Sequence, residues 1–289
     1  MNVLLIGGTG FIGTWLTKAL CQEHNVNVVD PEPFSDEQLG WLSQDGNWRF
    51  STTTSLSVWA VKGQDVIVPL TGLLGSVPSV EQPLESLRRG PEMNLRLLQT
   101  LVENELKPLV VFPSSDLALG PRCLYSWHKV VTEGYLEVFN RVYDIPYINF
   151  RMATGYGPFQ RRDSVINFYV KRALTGETIP VYGAGDNWRA FIYIEDAVRA
   201  FKDAIEGRFP HNRTYNLVGH NHTLTEVAEA VAEVVGGEVE HIPWPERAKA
   251  VDVGHLPIGN DLAAWGWEPQ TGLKEGILKT KEWLDGRTS

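Results

Sequence analysis

Apolar residues fall into two rhythms along this chain. Short unbroken runs at Val3-Leu4-Leu5-Ile6, Val26-Asn27-Val28-Val29, Asp65-Val66-Ile67-Val68-Pro69-Leu70, Leu109-Val110-Val111-Phe112 and residues 145–150 predict buried strands. Between them the spacing turns helical: Phe11, Ile12, Trp15, Leu16, Ala19 and Leu20, then Met93, Leu97, Leu98 and Leu101, then residues 125–141. Trp48-Arg49-Phe50 predicts one more strand and residues 52–61 a short helix. This alternation predicts an α/β fold with a doubly wound, mostly parallel sheet, whose ligands gather at the carboxyl ends of the strands. The second half is more broken. Helices are expected at 163–174, 196–206, 223–235 and 272–283, with strands at 179–182 and 191–194. Thr223 and Glu226 fit a capping box. Residues 1–158 are therefore read as one domain and 159–289 as a smaller mixed α/β lobe, interleaved with the first and without a tether.

The first strand runs into Gly7-Gly8-Thr9-Gly10-Phe11-Ile12-Gly13, which opens the first helix. Glycines at 7, 10 and 13 give a tight turn, a backbone without Cβ beside phosphates, and close packing of helix on strand. Phe11, Ile12 and Gly13 then turn free N–H groups toward an anion. The second strand ends in Asp30, where a carboxylate would accept the hydroxyls of an adenosine ribose. Pro31, Glu32 and Pro33 follow without a cation, so the expected dinucleotide is NAD rather than NADP. Leu70 and Thr71, after the fourth run, and Met152 are further candidate cofactor contacts.

Composition narrows the partners. Of 289 residues 43% are hydrophobic and 21% charged, as in an ordinary globule. The net charge of −9, without a dense Lys/Arg run, argues against nucleic acid or an anionic membrane. Met1-Asn2 leads straight into a strand and no apolar run reaches membrane-spanning length, which predicts a cytoplasmic protein. Cys21 and Cys123 and the scattered histidines give no metal-ligand spacing, so no metal is expected.

Ser114-Ser115-Asp116 follows the apolar run at 109–112, and Tyr125-Ser126-Trp127-His128-Lys129 comes soon after. Tyr125 and Lys129 share one helix face. An ammonium there would lower the phenol pKa, making it a useful base near neutrality, while a serine hydroxyl holds the substrate oxygen. That trio suits hydride transfer between an alcohol or ketone and a nicotinamide. His128 is read as structural, on another face of the helix.

With these motifs in place the chain resembles the extended short-chain dehydrogenase/reductase superfamily, in particular the NAD-dependent epimerase/dehydratase group that modifies nucleotide sugars. The resemblance also rests on Pro78-Ser79-Val80-Glu81-Gln82-Pro83, on Arg151 to Pro158, on Val181-Tyr182-Gly183 through Asp196, and on Trp265-Gly266-Trp267-Glu268-Pro269. It implies a Rossmann-type domain holding NAD, a lobe holding the nucleotide sugar, and a homodimer through a four-helix bundle. It also implies that Ser115 is the catalytic hydroxyl and Ser114 a backbone-bonding neighbour. Lys129 would also bond the nicotinamide ribose, Arg189 the substrate diphosphate, Tyr182 the base and Asp252 the nucleotide ribose, with Thr154 a further substrate contact.

Five departures bear on the reaction. Leu117 stands where the 4,6-dehydratases carry Glu, Thr154 replaces an Asn, Gly90 replaces an Asn, and Ala190 replaces an Asp. Tyr125 follows Ser115 by only ten positions, trimming the loop between them. The expected activity is a nucleotide-sugar 4-epimerase working through a transient 4-keto sugar. The alternatives are a decarboxylase, a non-4,6 dehydratase or a keto-sugar reductase of the same family, or a non-catalytic dinucleotide-binding regulator.

Overall fold

The computed structural model describes residues 1–42, 46–53, 58–72, 75–161, 163–246, 250, 254 and 256–286. Two compact units form, one from Met1–Arg151 with Val198–Tyr215, the other from Met152–Ala197 with Asn216–Ser289.

The first unit is built on a seven-stranded parallel sheet, the doubly wound Rossmann-type arrangement that the alternating runs predict. Its strands are β1 (Asn2–Ile6), β2 (Asn25–Asp30), β3 (Trp48–Thr52), β4 (Val66–Pro69), β5 (Leu109–Ser115), β6 (Tyr147–Met152) and, far along the chain, β10 (Arg213–Leu217). Their spatial order is β10-β6-β5-β4-β1-β2-β3. Val3 pairs with Val26 on one side and with Val66 on the other, so β1 is the central strand where the winding reverses. Both faces of β1 are covered. That is why Val3, Leu4, Leu5 and Ile6 form a continuous apolar run rather than an alternating one.

Helix α1 (Phe11–Leu20) follows β1 directly, and α6 (Met93–Glu103) and α7 (Leu124–Tyr143) cover one face. Leu97, Leu98 and Leu101 of α6 and Leu136 of α7 share a core with Leu4, Ile67, Val110 and Phe112. Ahead of α6 the structure holds elements that the sequence periodicity does not predict. Two short helices, α4 (Ser76–Glu81) and α5 (Pro83–Leu87), carry no clear apolar period, and a wide turn at Arg88–Glu92 joins them to α6. Gly90 takes φ −100°, ψ −105° there, and Pro91 supplies no N–H, so the regular ladder cannot run through.

In the second unit β9 (Trp188–Tyr193) lies between β7 (Thr154–Tyr156), which is parallel to it, and β11 (His220–Thr223), which is antiparallel. A separate pair joins β8 (Ile179–Tyr182) to β12 (Val239–Ile242). Helix α10 (Leu224–Val235) begins with the Thr223/Glu226 capping box that the sequence predicts. Asp196, buried at the start of α9 (Ile194–Ile205), accepts the N–H groups of Gln270 and Thr271, each at 2.9 Å. Among the described residues no helix is long and apolar enough to cross a membrane.

Candidate active site

The glycine turn is shaped by what has no room. At Gly7, with φ +77°, a Cβ would lie 3.1 Å from Thr71 N and 3.2 Å from Leu70 C, so the turn lies directly beside the end of β4. At Gly13 a Cβ would lie 2.3 Å from Gly8 O, because α1 packs on the turn itself. Gly10 differs: its Cβ would meet only Gly7 O, at 3.7 Å. That side is open, and α1 has no side-chain cap, so the first-turn N–H groups of Phe11, Ile12 and Gly13 stay available to an anion.

Asp30 closes the turn from the other side. Its Oδ2 accepts Thr9 N–H and its Oδ1 accepts Glu32 N–H, both at 3.1 Å, leaving lone pairs for further donors. Helix α2 (Asp36–Trp41) is tied in by Gln38, whose Nε2 donates to Thr9 O and to Thr14 Oγ1, each at 2.7 Å. Nothing in the sequence marked Gln38. Its only signal was the Ser35/Gln38 capping box.

Next to this turn, the segment after β4, α5, the turn at Arg88–Glu92, α6, β5 and α7 line an open cavity. Its wall includes Thr71, Asn94, Phe112, Tyr125, His128 and Lys129. Thus Thr71, Tyr125 and Lys129 come together. His128 joins them, contrary to the expectation that it faces away, and its Nδ1 is 3.0 Å from Ser86 Oγ. Thr71 Oγ1 is buried and, among the described residues, has no hydrogen-bond partner. An orphaned hydroxyl on a cavity wall beside a glycine turn fits a polar ligand such as a dinucleotide.

Strand β5 extends through Ser115, so both serines are buried strand residues rather than loop residues. Their side chains leave on opposite faces, as strand geometry dictates. The Ser115 hydroxyl bears on the Tyr125 phenol and works to lower its pKa. It also donates to Asp116 Oδ1 at 3.1 Å and accepts Leu117 N–H at 3.3 Å. Ser114 is not the backbone-bonding neighbour that the resemblance implies: its Oγ donates to Glu133 Oε1 at 2.5 Å. Lys129 Nζ donates to Pro113 O at 2.6 Å and stands 5.5 Å from the centre of the Tyr125 ring.

This geometry reverses the expected electrostatics. Burial pushes the Tyr125 phenol up to about 12, with Asp116 and Cys123 adding to it and only the Ser115 hydroxyl opposing. Burial also brings the Lys129 ammonium down to about 8, against the pull of Glu133. The ammonium bonds the Pro113 carbonyl rather than the phenol oxygen, so its effect on the phenol is outweighed by desolvation.

The remaining sequence candidates lie elsewhere. Leu70 follows β4, its N–H bonded to Ile6 O at 2.7 Å. Met152 ends β6 and Thr154 begins β7, both partly buried. Arg189 sits on β9 and is only 8% exposed, with Nη1 donating to Trp188 O at 3.2 Å. Tyr182 ends β8, its ring 5.4 Å from that of Trp244. Asp252 lies outside the described residues. Glu23, His24 and Glu206 form the one His/Cys/Asp/Glu group of cation-binding spacing among the described residues, and there Lys202 Nζ lies 2.6 Å from Glu23 and 3.7 Å from Glu206.

A family model described as NAD dependent epimerase/dehydratase family matches residues 3–218. The chain belongs to the NAD dependent epimerase/dehydratase family. It is therefore an enzyme, and NAD is the family's cofactor. Among curated members, a dTDP-glucose 4,6-dehydratase of Salmonella typhimurium is 29% identical, the match covering all of this chain and 94% of that one. Among solved members, a UDP-glucose 4-epimerase of Thermotoga maritima, determined with UDP-glucose, superposes with a TM-score of 0.88 at 26% identity, covering all of both chains. MoeE5, in complex with UDP-glucuronic acid and NAD, superposes with a TM-score of 0.86 at 26% identity over 99% of this chain and all of its own. The open face at Gly10, the paired Asp30 carboxylate and the orphaned Thr71 hydroxyl fit this family's dinucleotide.

Proposed function

We propose that this enzyme is a nucleotide-sugar 4-epimerase that works by transient oxidation to a 4-keto sugar. The observation that carries the proposal is Tyr125 and Lys129 together on the wall of a cavity that begins just after β4, with Ser115 at the end of β5 bearing on the phenol. Gly7, Gly10, Phe11, Ile12, Gly13, Asp30, Leu70, Thr71 and Met152 would hold NAD. When bound, NAD supplies the hydride acceptor and donor and a positively charged ring that favours a phenolate nearby.

The chain's own groups then divide the proton work. Tyr125 takes the proton of the sugar 4-hydroxyl and returns it. Ser115 turns its hydroxyl from Asp116 to donate to the sugar 4-oxygen while that oxygen's proton passes to Tyr125, and so keeps the oxygen within reach. Lys129 orders the Tyr125 ring and the nicotinamide ribose. Thr154, Tyr182, Arg189 and Asp252 are assigned to the nucleotide and sugar, with the Arg189 fork suited to a diphosphate. Leu117, an alkyl group, cannot act as the acid–base partner that a 4,6-elimination would need there. In this reading residues 1–158 bind NAD and 159–289 the nucleotide sugar.

Incubating the enzyme with UDP-glucose and with UDP-glucuronate tests the proposal by NMR. Interconversion of C4 epimers without added cofactor is expected. A 4-keto-6-deoxy sugar, carbon dioxide, or stoichiometric release of NADH would each refute it. A homodimer in the cytoplasm completes the proposal. Trp127, Val131, Val138 and Val142 recur on exposed α7, with Leu95 exposed on α6, and this apolar stripe suits a second copy.

A further inference from the structure

Two successive turns of α7 grip the end of β5. Lys129 holds Pro113 O, and one turn on, Glu133 accepts the Ser114 hydroxyl. Glu133 is only 8% exposed, yet its carboxylate is fully engaged. Arg151, from the neighbouring strand β6, donates Nε to both its oxygens and Nη2 to Oε2 at 2.7 Å. A buried carboxylate is costly unless paired in this way. Unlike Lys129, the other three groups are not on the wall of the open cavity, which omits Ser114, Glu133 and Arg151. What they do fix is the pair of residues just before Ser115, because Pro113 and Ser114 are both anchored to the helix that carries Tyr125.

We propose that Glu133 is a positioning residue for the acid–base pair, setting the end of β5 against α7 so that Ser115 meets Tyr125, and placing a carboxylate one helical turn from Lys129. The proposal rests on the reading that Ser115, Tyr125 and Lys129 carry the chemistry. The charged or titratable groups around Lys129 are Tyr125, His128 and Glu133 on α7, Asp116 after β5, and Arg151 on β6 behind Glu133. Thr71 of the β4 end and Asn94 of α6, on the same cavity wall, are neutral. Of these groups Glu133 alone draws the Lys129 pKa upward against burial. Spacing offered a signal for it in advance: Tyr125, Lys129 and Glu133 fall every fourth residue along one face.

Glu133→Gln keeps an acceptor for Ser114 and removes the charge. With the lysines reductively methylated using ¹³C-formaldehyde and the Lys129 signal assigned from Lys129→Arg, the amine should titrate about one pH unit lower than in the wild type, the smaller end of the shift that loss of a nearby opposite charge produces. The alkaline limb of kcat/KM should move the same way, with NAD affinity unchanged within a factor of about three. Arg151→Gln, which leaves Glu133 less neutralised, should move the amine upward and serves if Glu133→Gln folds poorly. Ser114→Ala should lower kcat without moving the pH profile. An amine that titrates at the wild-type pH in both charge variants overturns the proposal. This titration needs no turnover, so failure of the epimerase assay alone would count against the reaction assigned above and not against Glu133.

Discussion

Replacing Gly10 with alanine separates the cofactor's demands on the glycine turn from the fold's own. In the protein a Cβ at position 10 meets only Gly7 O, at 3.7 Å, and the backbone, at φ −71°, ψ −179°, accepts any residue. Folding should therefore be untouched, or gain about 0.4–1 kcal/mol from the smaller entropy of the unfolded chain. The new methyl would stand where the pyrophosphate approaches the backbone. An overpacked contact costs about 1–3 kcal/mol, which is roughly a 5- to 150-fold rise in Kd for NAD. Gly13→Ala is the matched control. There the Cβ would lie 2.3 Å from Gly8 O and 2.5 Å from Gly8 Cα, backbone atoms that cannot swing aside, so α1 must lift off the turn. This variant should lose about 1–3 kcal/mol of stability as well as NAD affinity. Urea denaturation and calorimetric titration with NAD read the two quantities independently. If Gly10→Ala binds NAD as the wild type does, the dinucleotide does not approach this turn, and the assignment of Gly7 to Gly13 falls.

Three further predictions follow from the site. Tyr125→Phe should abolish epimerisation while leaving NAD affinity within about threefold, because it removes one oxygen at the cavity wall; retained turnover would end the catalytic role of Tyr125. Lys129 bears on stability against pH: its pKa in the fold, about 8, lies below the ordinary lysine value of 10.5, so between these values the unfolded chain binds more protons and stability should rise with pH. Lys129→Met should flatten that segment of the urea-midpoint profile, and an unchanged slope would contradict the desolvation argument. Because Asp30 presents a carboxylate where an adenosine 2′-phosphate would lie, NADH should bind more tightly than NADPH. Asp30→Ala should narrow that preference at least tenfold by fluorescence titration, and tighter binding of NADPH to the wild type would refute the assignment.

The strands that pack on both faces were legible because burial leaves them no polar alternation: the runs at β1, β4 and β5 appear where periodicity puts them. β11, with the sequence His-Asn-His-Thr, was not legible, since its place comes from backbone pairing with β9 and its side chains are only partly buried. The short helices α4 and α5 escaped for a similar reason, being too brief to show a period. At the site, i,i+4 spacing drew attention to Tyr125 and Lys129. The same spacing reaches Glu133, which the sequence reading passed over, because only the tertiary approach of Ser114 and Arg151 distinguishes it. The direction of the Tyr125 shift was misjudged because a sequence reveals charged neighbours along a helix but not the loss of water around them.

The order in which the first unit is threaded has a consequence for biosynthesis. Phe150, wholly buried, completes its aromatic cluster only with Phe201, Phe209 and Tyr215, and the outer strand β10 ends at Leu217. A nascent chain halted on the ribosome after β6 would hold every residue of the glycine turn and of the Tyr125 pair, yet would expose an apolar flank and an unfilled hydrogen-bonding edge. Competence to bind the dinucleotide should therefore emerge late in translation, after the intervening segment of the other unit has already been made.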